Sequence, residues 1–324
     1  MRPFRIPAHW APNLLVSPFL SLFAVFGIFP LTFSAWLAFQ SWEPTSGIES
    51  MTFVGLDNFT FALTDGWFWK SLRNTLWLTV AAGVPQHLVA IPLAVFLHQS
   101  LGRWRGVLSG AYFLPYITST VAIAMLFGSL FSTEYGLVNQ ALHAMFGTDN
   151  INWMRSPEAI KPAVAIIVFW RYVGFNLVLY LAALQTIPGD LYQAAKLDGA
   201  GPWQQFLRIT LPGLKPMILF GVTLSIIGGL QLFEEPFILT NGKGGADQAA
   251  MTVGMYLYRL AFDFSDFGGA SAMAWLMFGF IALLTWLTNK AFADRQVQAG
   301  APHGRPKSLI ARLAEQRAAR KVPQ

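Results

Sequence analysis

The stretch Pro188–Pro216, PGDLYQAAKLDGAGPWQQFLRITLPGLKP, is polar and helix-forming, and it lies between two long apolar segments. Asp190 is placed to cap the start of a helix on which Leu191, Ala194 and Ala195 share a face. Gly199 can supply the positive φ that closes such a helix, and Gly201-Pro202 turns the chain. A second short helix then carries Trp203, Phe206 and Leu207 at i, i+3 and i+4, with Pro212 as its expected stop. The product is a helix-turn-helix whose small-residue face, Ala-Ala-x3-Gly, suits docking into a groove on another protein.

Working outward, the flanks are those of a membrane protein. Of the 324 residues 54% are hydrophobic and only 12% charged, against about 25% charged in an ordinary soluble domain. There is no cysteine, which removes disulfides and thiolate metal sites, and the five histidines follow no metal-ligand spacing. A span needs about twenty apolar residues. Six segments supply them, roughly 13–39, 72–98, 107–131, 162–185, 215–240 and 267–290. The first is read as a retained span and not a cleaved signal. The expected fold is therefore all-α and integral to a membrane, with six transmembrane helices. The division is a short terminus over 1–12, a six-span membrane core over 13–290 with the 188–216 loop inside it, and a basic tail over 291–324.

Lysine and arginine set the orientation. Arg2, Arg5, Arg103, Arg105, Lys196, Arg208, Lys215, Lys290 and seven more after residue 291 fall on one side. Lys70, Arg73, Arg155, Lys161, Lys243 and Arg259 fall on the other, so the division is fifteen against six. Ten acidic residues, from Glu43 to Asp266, gather on the second side. Both termini and the 188–216 loop are expected in the cytoplasm. The basic tail (SLIARLAEQRAARK, helical in pattern) fits retention there and contact with anionic lipid; no motif points to nucleic acid.

With that topology in place, Ala194-Ala195, Gly199, Ile209 and Leu211-Pro212 resemble, in type and spacing, the EAA loop of binding-protein-dependent ABC importer permeases. In that family the cytoplasmic loop inserts its helix into a cleft on the ATPase subunit. The resemblance thus assigns ATPase coupling to Gln193, Ala194, Ala195, Asp198, Gly199, Ile209, Leu211 and Pro212. Gln193 stands where the family carries Glu; it keeps the length and one acceptor oxygen and loses the charge. FVGLDNF with FWKSLRNTLWLT, and LQLFEEPFILTNGKGG followed by MTVGMYLYRLAFDFSDFGGASAMAWLMF, resemble the sugar-type permeases, over about residues 50 to 290 in all. The resemblance implies a type I-like importer permease in a bacterial inner membrane. Its implied partners are a second homologous permease, two ATPase subunits, an outer-side (periplasmic) binding protein and a sugar. No phosphate-binding G-x-x-x-x-G-K-[ST] occurs, so ATP and magnesium are expected on a separate chain, with no cofactor bound here.

Polar groups inside spans mark candidate pathway residues. Trp170, Arg171, Tyr172 and Asn176 lie in the fourth span; Gln231, Glu234 and Glu235 lie in the fifth, at i, i+3 and i+4 and hence on a shared face. Such groups can bond sugar hydroxyls, and aromatic rings stack on the apolar sugar face. Arg171 paired structurally with Glu234 or Glu235 is an equal reading, compatible with the first. A third places the two glutamates at the outer helix end. The outer connections, with Trp67, Trp69 and Lys70 as interface anchors and a short helix near Tyr135–Met145, are where a binding protein could rest. An ion-coupled secondary transporter is the main alternative; an intramembrane enzyme lacks the required side chains.

Overall fold

The computed structural model describes residues 11–100 and 102–299. Arg2, Arg5 and the SLIARLAEQRAARK tail lie outside the described residues. The first span is α1 (Ala11–Phe23), a π-turn over Ala24–Ile28 and α2 (Phe29–Leu37). A two-residue hairpin, β1 (Gln40–Ser41) antiparallel to β2 (Thr52–Phe53), leads to α3 (Asp57–Thr64) and the long α4 (Gly66–Ser100). Then come α5 (Arg105–Ile117), α6 (Thr120–Leu130), α7 (Leu137–Phe146) and α8 (Pro157–Leu184). The loop region is α9 (Gly189–Leu197), α10 (Pro202–Gln205) and a π-turn over Phe206–Thr210, which runs into α11 (Leu211–Leu230). The chain ends on α12 (Glu234–Leu239), α13 (Val253–Phe262) and α14 (Phe267–Ala299).

Five helical stretches are long and apolar enough to cross a membrane, and α5 with α6 supplies a sixth if the bent pair is one span. The count matches the sequence; continuity does not. The third span bends by 95° between α5 and α6. Thr118 and Ser119 are extended there, and the Thr118 hydroxyl donates to the Leu114 carbonyl at 2.8 Å. Short hydroxyl side chains compete in this way with the helical ladder. The fifth span breaks between α11 and α12. Phe233 leaves the helical region (φ −137°, ψ −57°) and the helix restarts at Glu234; Pro236, which has no N–H to give the Leu232 carbonyl, accompanies the restart. Gln231 therefore ends one helix while Glu234 and Glu235 begin another, and they do not share a helical face as expected.

The core is built around α8, which packs on α4, α5 and α11. Ile160, Val164, Ile167, Leu177, Tyr180 and Leu184 are buried along it, and Arg171 does not interrupt it. α5 approaches so closely that a Cβ at Gly174 would overlap the Tyr112 carbonyl. Gly174→Ala is expected to cost about 1–3 kcal/mol through overpacking against backbone, read as a lower melting temperature in detergent; an unchanged midpoint would contradict that contact. At the opposite end of α8 from the 188–216 loop, Asp65 caps α4, accepting from the backbone N–H of Trp67 (3.0 Å) and Phe68 (3.1 Å). The Tyr256 hydroxyl also donates to Asp65, at 2.5 Å. Burial and that bond push the Tyr256 hydroxyl above its usual pKa. The predicted helix of the 132–161 connection is α7, ending on Gly147 at φ +64°.

The span of α1 and α2 buries none of its most apolar window within this chain, whereas over half of the α8 window is buried. The described residues from Trp286 onward belong to a second unit. In its described part it is the end of α14, where Lys290 Nζ sits 5.1 Å over the Trp286 ring.

Candidate functional site: a docking hairpin, a polar knot and a cavity

The 188–216 region folds on its own local chemistry. Pro188, and not Asp190, precedes the first turn of α9, and it makes no side-chain cap. Asp190 sits inside that turn, where its charge opposes the helix dipole favourably. Gly199 takes φ +77° as expected. The Ala200 N–H donates to the Ala195 carbonyl at 2.8 Å and the Gly199 N–H to Lys196 at 3.1 Å, which together close the helix as a Schellman motif. Gln204 Oε1 accepts from the Gly201 N–H at 3.2 Å, starting α10. Pro212 does not stop this second helix. The π-turn over Phe206–Thr210 absorbs the carbonyl that Pro212 cannot serve, and the chain continues into α11.

Gln193, Ala194, Asp198, Gly199 and Pro212 are exposed, while Ala195, Ile209 and Leu211 are partly covered. Leu197 is 91% exposed and Trp203 69%, an apolar surface that nothing among the described residues covers. The hairpin is tied back by Tyr192 Oη and Thr210 Oγ1, 2.9 Å apart. A Cβ at Gly213 would lie 2.7 Å from the Ile187 side chain, so the start of α11 rests on the connection that leaves α8. The hairpin thus touches both the start of α11 and the connection that leaves α8.

Arg171 joins the two broken spans. Its Nη1 donates to Glu235 Oε1 at 2.9 Å and to Thr120 Oγ1 at 2.6 Å. The Thr120 hydroxyl in turn donates to Glu234 Oε2 at 2.6 Å. The Arg171 and Glu235 side chains are 12% and 4% exposed. Thr120 begins the helix after the third-span bend, and the two glutamates begin the helix after the fifth-span break. The three spans meet in one knot of two carboxylates and one guanidinium. Of the two pairings the sequence left open for Arg171, the one with Glu235 is formed, and Glu234 is reached through Thr120.

Beside the knot is a cavity of about 280 Å³ between α4, the end of α5, α8 and α11. Tyr172 and Asn176 line it, together with Gln86, Tyr116, Phe175 and Ser225. Asn176 Nδ2 donates to Gln86 Oε1 at 3.2 Å, and its buried Oδ1 has no partner among the described residues. Tyr116 packs against Phe175 (4.9 Å) and Tyr172 (5.7 Å). Trp170 lies against Phe127 at 5.2 Å, and neither it nor Gln231 lines the cavity. Gln86, Tyr116 and Ser225 were missed from sequence. Gln86 carried a usable signal, a polar side chain in mid-span.

Residues 90–296 match the family described as binding-protein-dependent transport system inner membrane component. The lactose transport system permease protein of Rhizobium radiobacter is 35% identical over 285 residues, covering 87% of this chain and 94% of its own. The arabinooligosaccharides transport system permease protein of Bacillus subtilis (strain 168) is 33% identical over 281 residues, covering 86% and 88%. A chain of a bacterial ABC transporter involved in the import of the acidic polysaccharide alginate shares the fold at TM-score 0.73 and 24% identity, over 88% of this chain and 96% of that one. Extent and identity together place this chain in the family of binding-protein-dependent inner-membrane transport components, the multi-pass permease subunits of ABC importers.

Proposed function

We propose that this chain is one permease of a carbohydrate importer, with sugar passing along the cavity between α4, α8 and α11. The observation that carries the reading is the cavity's chemistry. Gln86, Asn176 and Ser225 offer hydrogen bonds, and Asn176 Oδ1 is an acceptor awaiting a hydroxyl. The Tyr116, Tyr172 and Phe175 rings supply apolar walls. Its size is near the lower end of the roughly 300–1,000 Å³ usual for small-molecule sites, consistent with one chain's share of a pathway completed by a second, homologous permease. That several relatives are named for lactose, arabinooligosaccharides and a sulfoquinovosyl glycerol supports the substrate class. None supports ion-coupled transport.

In this reading the termini and the α9–α10 hairpin are cytoplasmic, as the fifteen-to-six cation bias favours. The hairpin docks on one of two ATPase subunits, which carry ATP and magnesium, and a periplasmic binding protein delivers sugar to the opposite face. ATPase closure would push α9. Through the Tyr192–Thr210 and Ile187–Gly213 contacts the motion reaches α8 and α11, both of which line the cavity. The permease forms and breaks no covalent bond; the nucleotide cycle biases two conformations of the pathway.

Transport of labelled disaccharides and oligosaccharides by the reconstituted complex, wild type against Gln86→Ala and Asn176→Ala, tests this reading. Each lost hydrogen bond is worth about 0.5–1.5 kcal/mol, so uptake is expected to fall up to about tenfold per substitution for the true substrate. Wild-type uptake of every sugar by both variants would remove the cavity from the pathway.

A further inference from the structure

The ten-acid side of the molecule carries few cations, and three of them converge. Lys70, Arg73, Asn74 and Trp77 recur at i, i+3, i+4 and i+7 along one face of α4, near its start. With Pro157, Glu158, Lys161 and Pro162 of α8, and Asp247 and Ala249 of the following loop, they enclose a cavity of about 370 Å³. Lys161 is within electrostatic reach of Arg73 and Lys70 and, more weakly, of the Asp247 carboxylate. Compensation is incomplete. Asp247 Oδ1 is engaged by Lys70 Nζ at 3.1 Å, and Glu158 Oε2 takes the Ser156 hydroxyl at 2.7 Å. Arg73 and Lys161 have no carboxylate within ion-pair distance among the described residues. Like charges crowded around a cavity are stabilised by an anion shared between them.

The surroundings identify the source of that anion. α8 has 28 residues and is about 42 Å long at 1.5 Å per residue, against a hydrocarbon core of about 30 Å. Lys161, one turn from its start, is thus at headgroup depth. Trp67, Trp69 and Trp77 are exposed at the same end, as interfacial tryptophans are. Below the cavity Trp77, Val80, Val84 and Leu88 continue the same face of α4 as an exposed apolar strip, long enough to carry an acyl chain. We propose that this pocket binds the phosphate of an anionic phospholipid, with one acyl chain along the α4 strip, at the bundle end opposite the 188–216 hairpin. The site requires no sugar and does not depend on the carbohydrate reading.

The test uses the assembled transporter in phosphatidylcholine nanodiscs titrated with phosphatidylglycerol, with bound lipid counted by native mass spectrometry. Wild type is expected to retain at least one phosphatidylglycerol that Arg73→Gln/Lys161→Gln loses, with half-saturation shifted at least tenfold. Arg73→Gln alone, at an exposed position, should shift it in the same direction. Arg155→Gln, an exposed cation on the same side and outside the pocket, should leave retention unchanged. Equal retention by wild type and the double variant would overturn the proposal, as it would if a partner chain fills the pocket. Displacement by millimolar inorganic phosphate alone would overturn the lipid as the source and leave a free-anion site.

Discussion

Arg171→Met is expected to destabilise the protein by about 3–5 kcal/mol, because it leaves the buried Glu235 carboxylate without its counter-ion. Glu235→Leu is expected to cost a similar amount by stranding the guanidinium. The size separates two accounts of the knot. Hydrogen bonds between membrane helices average about 0.6 kcal/mol in double-mutant cycles, so a loss several times larger reports uncompensated buried charge. The double variant Arg171→Met/Glu235→Leu removes both charges and should regain most of the lost stability, since an apolar pair of similar volume replaces a buried ion pair at little cost. Thr120 and Glu234, bonded to each other in the wild type, should keep that bond in the variant. Detergent melts of the four proteins of this cycle give the coupling energy. Singles within about 0.5 kcal/mol of wild type, or a double variant as unstable as the sum, would show that the Arg171–Glu235 pair does not hold the broken spans together.

Leu197→Asp should separate assembly from coupling. Leu197 is 91% exposed, and surface changes of this kind alter stability within about 0.5 kcal/mol, so the permease should fold and insert normally. Docked on an ATPase, the same side chain would be a desolvated apolar anchor. A carboxylate there is expected to cost at least about 2 kcal/mol, roughly a thirtyfold loss of affinity. Binding-protein-stimulated ATP hydrolysis and sugar uptake should fall together, while the permease melting temperature stays unchanged. Stimulated hydrolysis at the wild-type rate would mean that the hairpin is not the coupling element. Glutamate restored at Gln193 provides a second reading of the same surface: if a charge there contributes to docking, Gln193→Glu should tighten it, and more so at low salt.

The hairpin and the spans were legible because each rests on local chemistry. Gly199 closes α9 whatever surrounds it, since only a residue without Cβ reaches φ +77° without strain. Apolar runs of about twenty residues must span a bilayer because only a helix satisfies its own backbone there, and the cation bias is a count along the chain. The breaks were not legible. Pro85, Pro92, Pro162 and Pro216 all sit inside continuous helices, while Pro236 accompanies a restart. The local clash is the same in each case. Whether it kinks or ends a helix depends on which neighbouring groups take up the freed carbonyls, and those neighbours are distant in sequence.

The site divides along the same line. By itself the sequence placed Arg171, Glu234 and Glu235 as ionisable groups in or at the ends of spans and Pro188–Pro216 as a polar helical hairpin closed at Gly199, because charge within an apolar run and a glycine at a helix end are read locally. Only the tertiary structure decided that Arg171 pairs with Glu235, that Thr120 links it to Glu234, and that Gln86 and Tyr116 face Asn176 and Tyr172 across one cavity. Those contacts depend on how four helices rotate against one another, and that rotation is set by close packing, such as Gly174 under the Tyr112 carbonyl, between residues tens of positions apart.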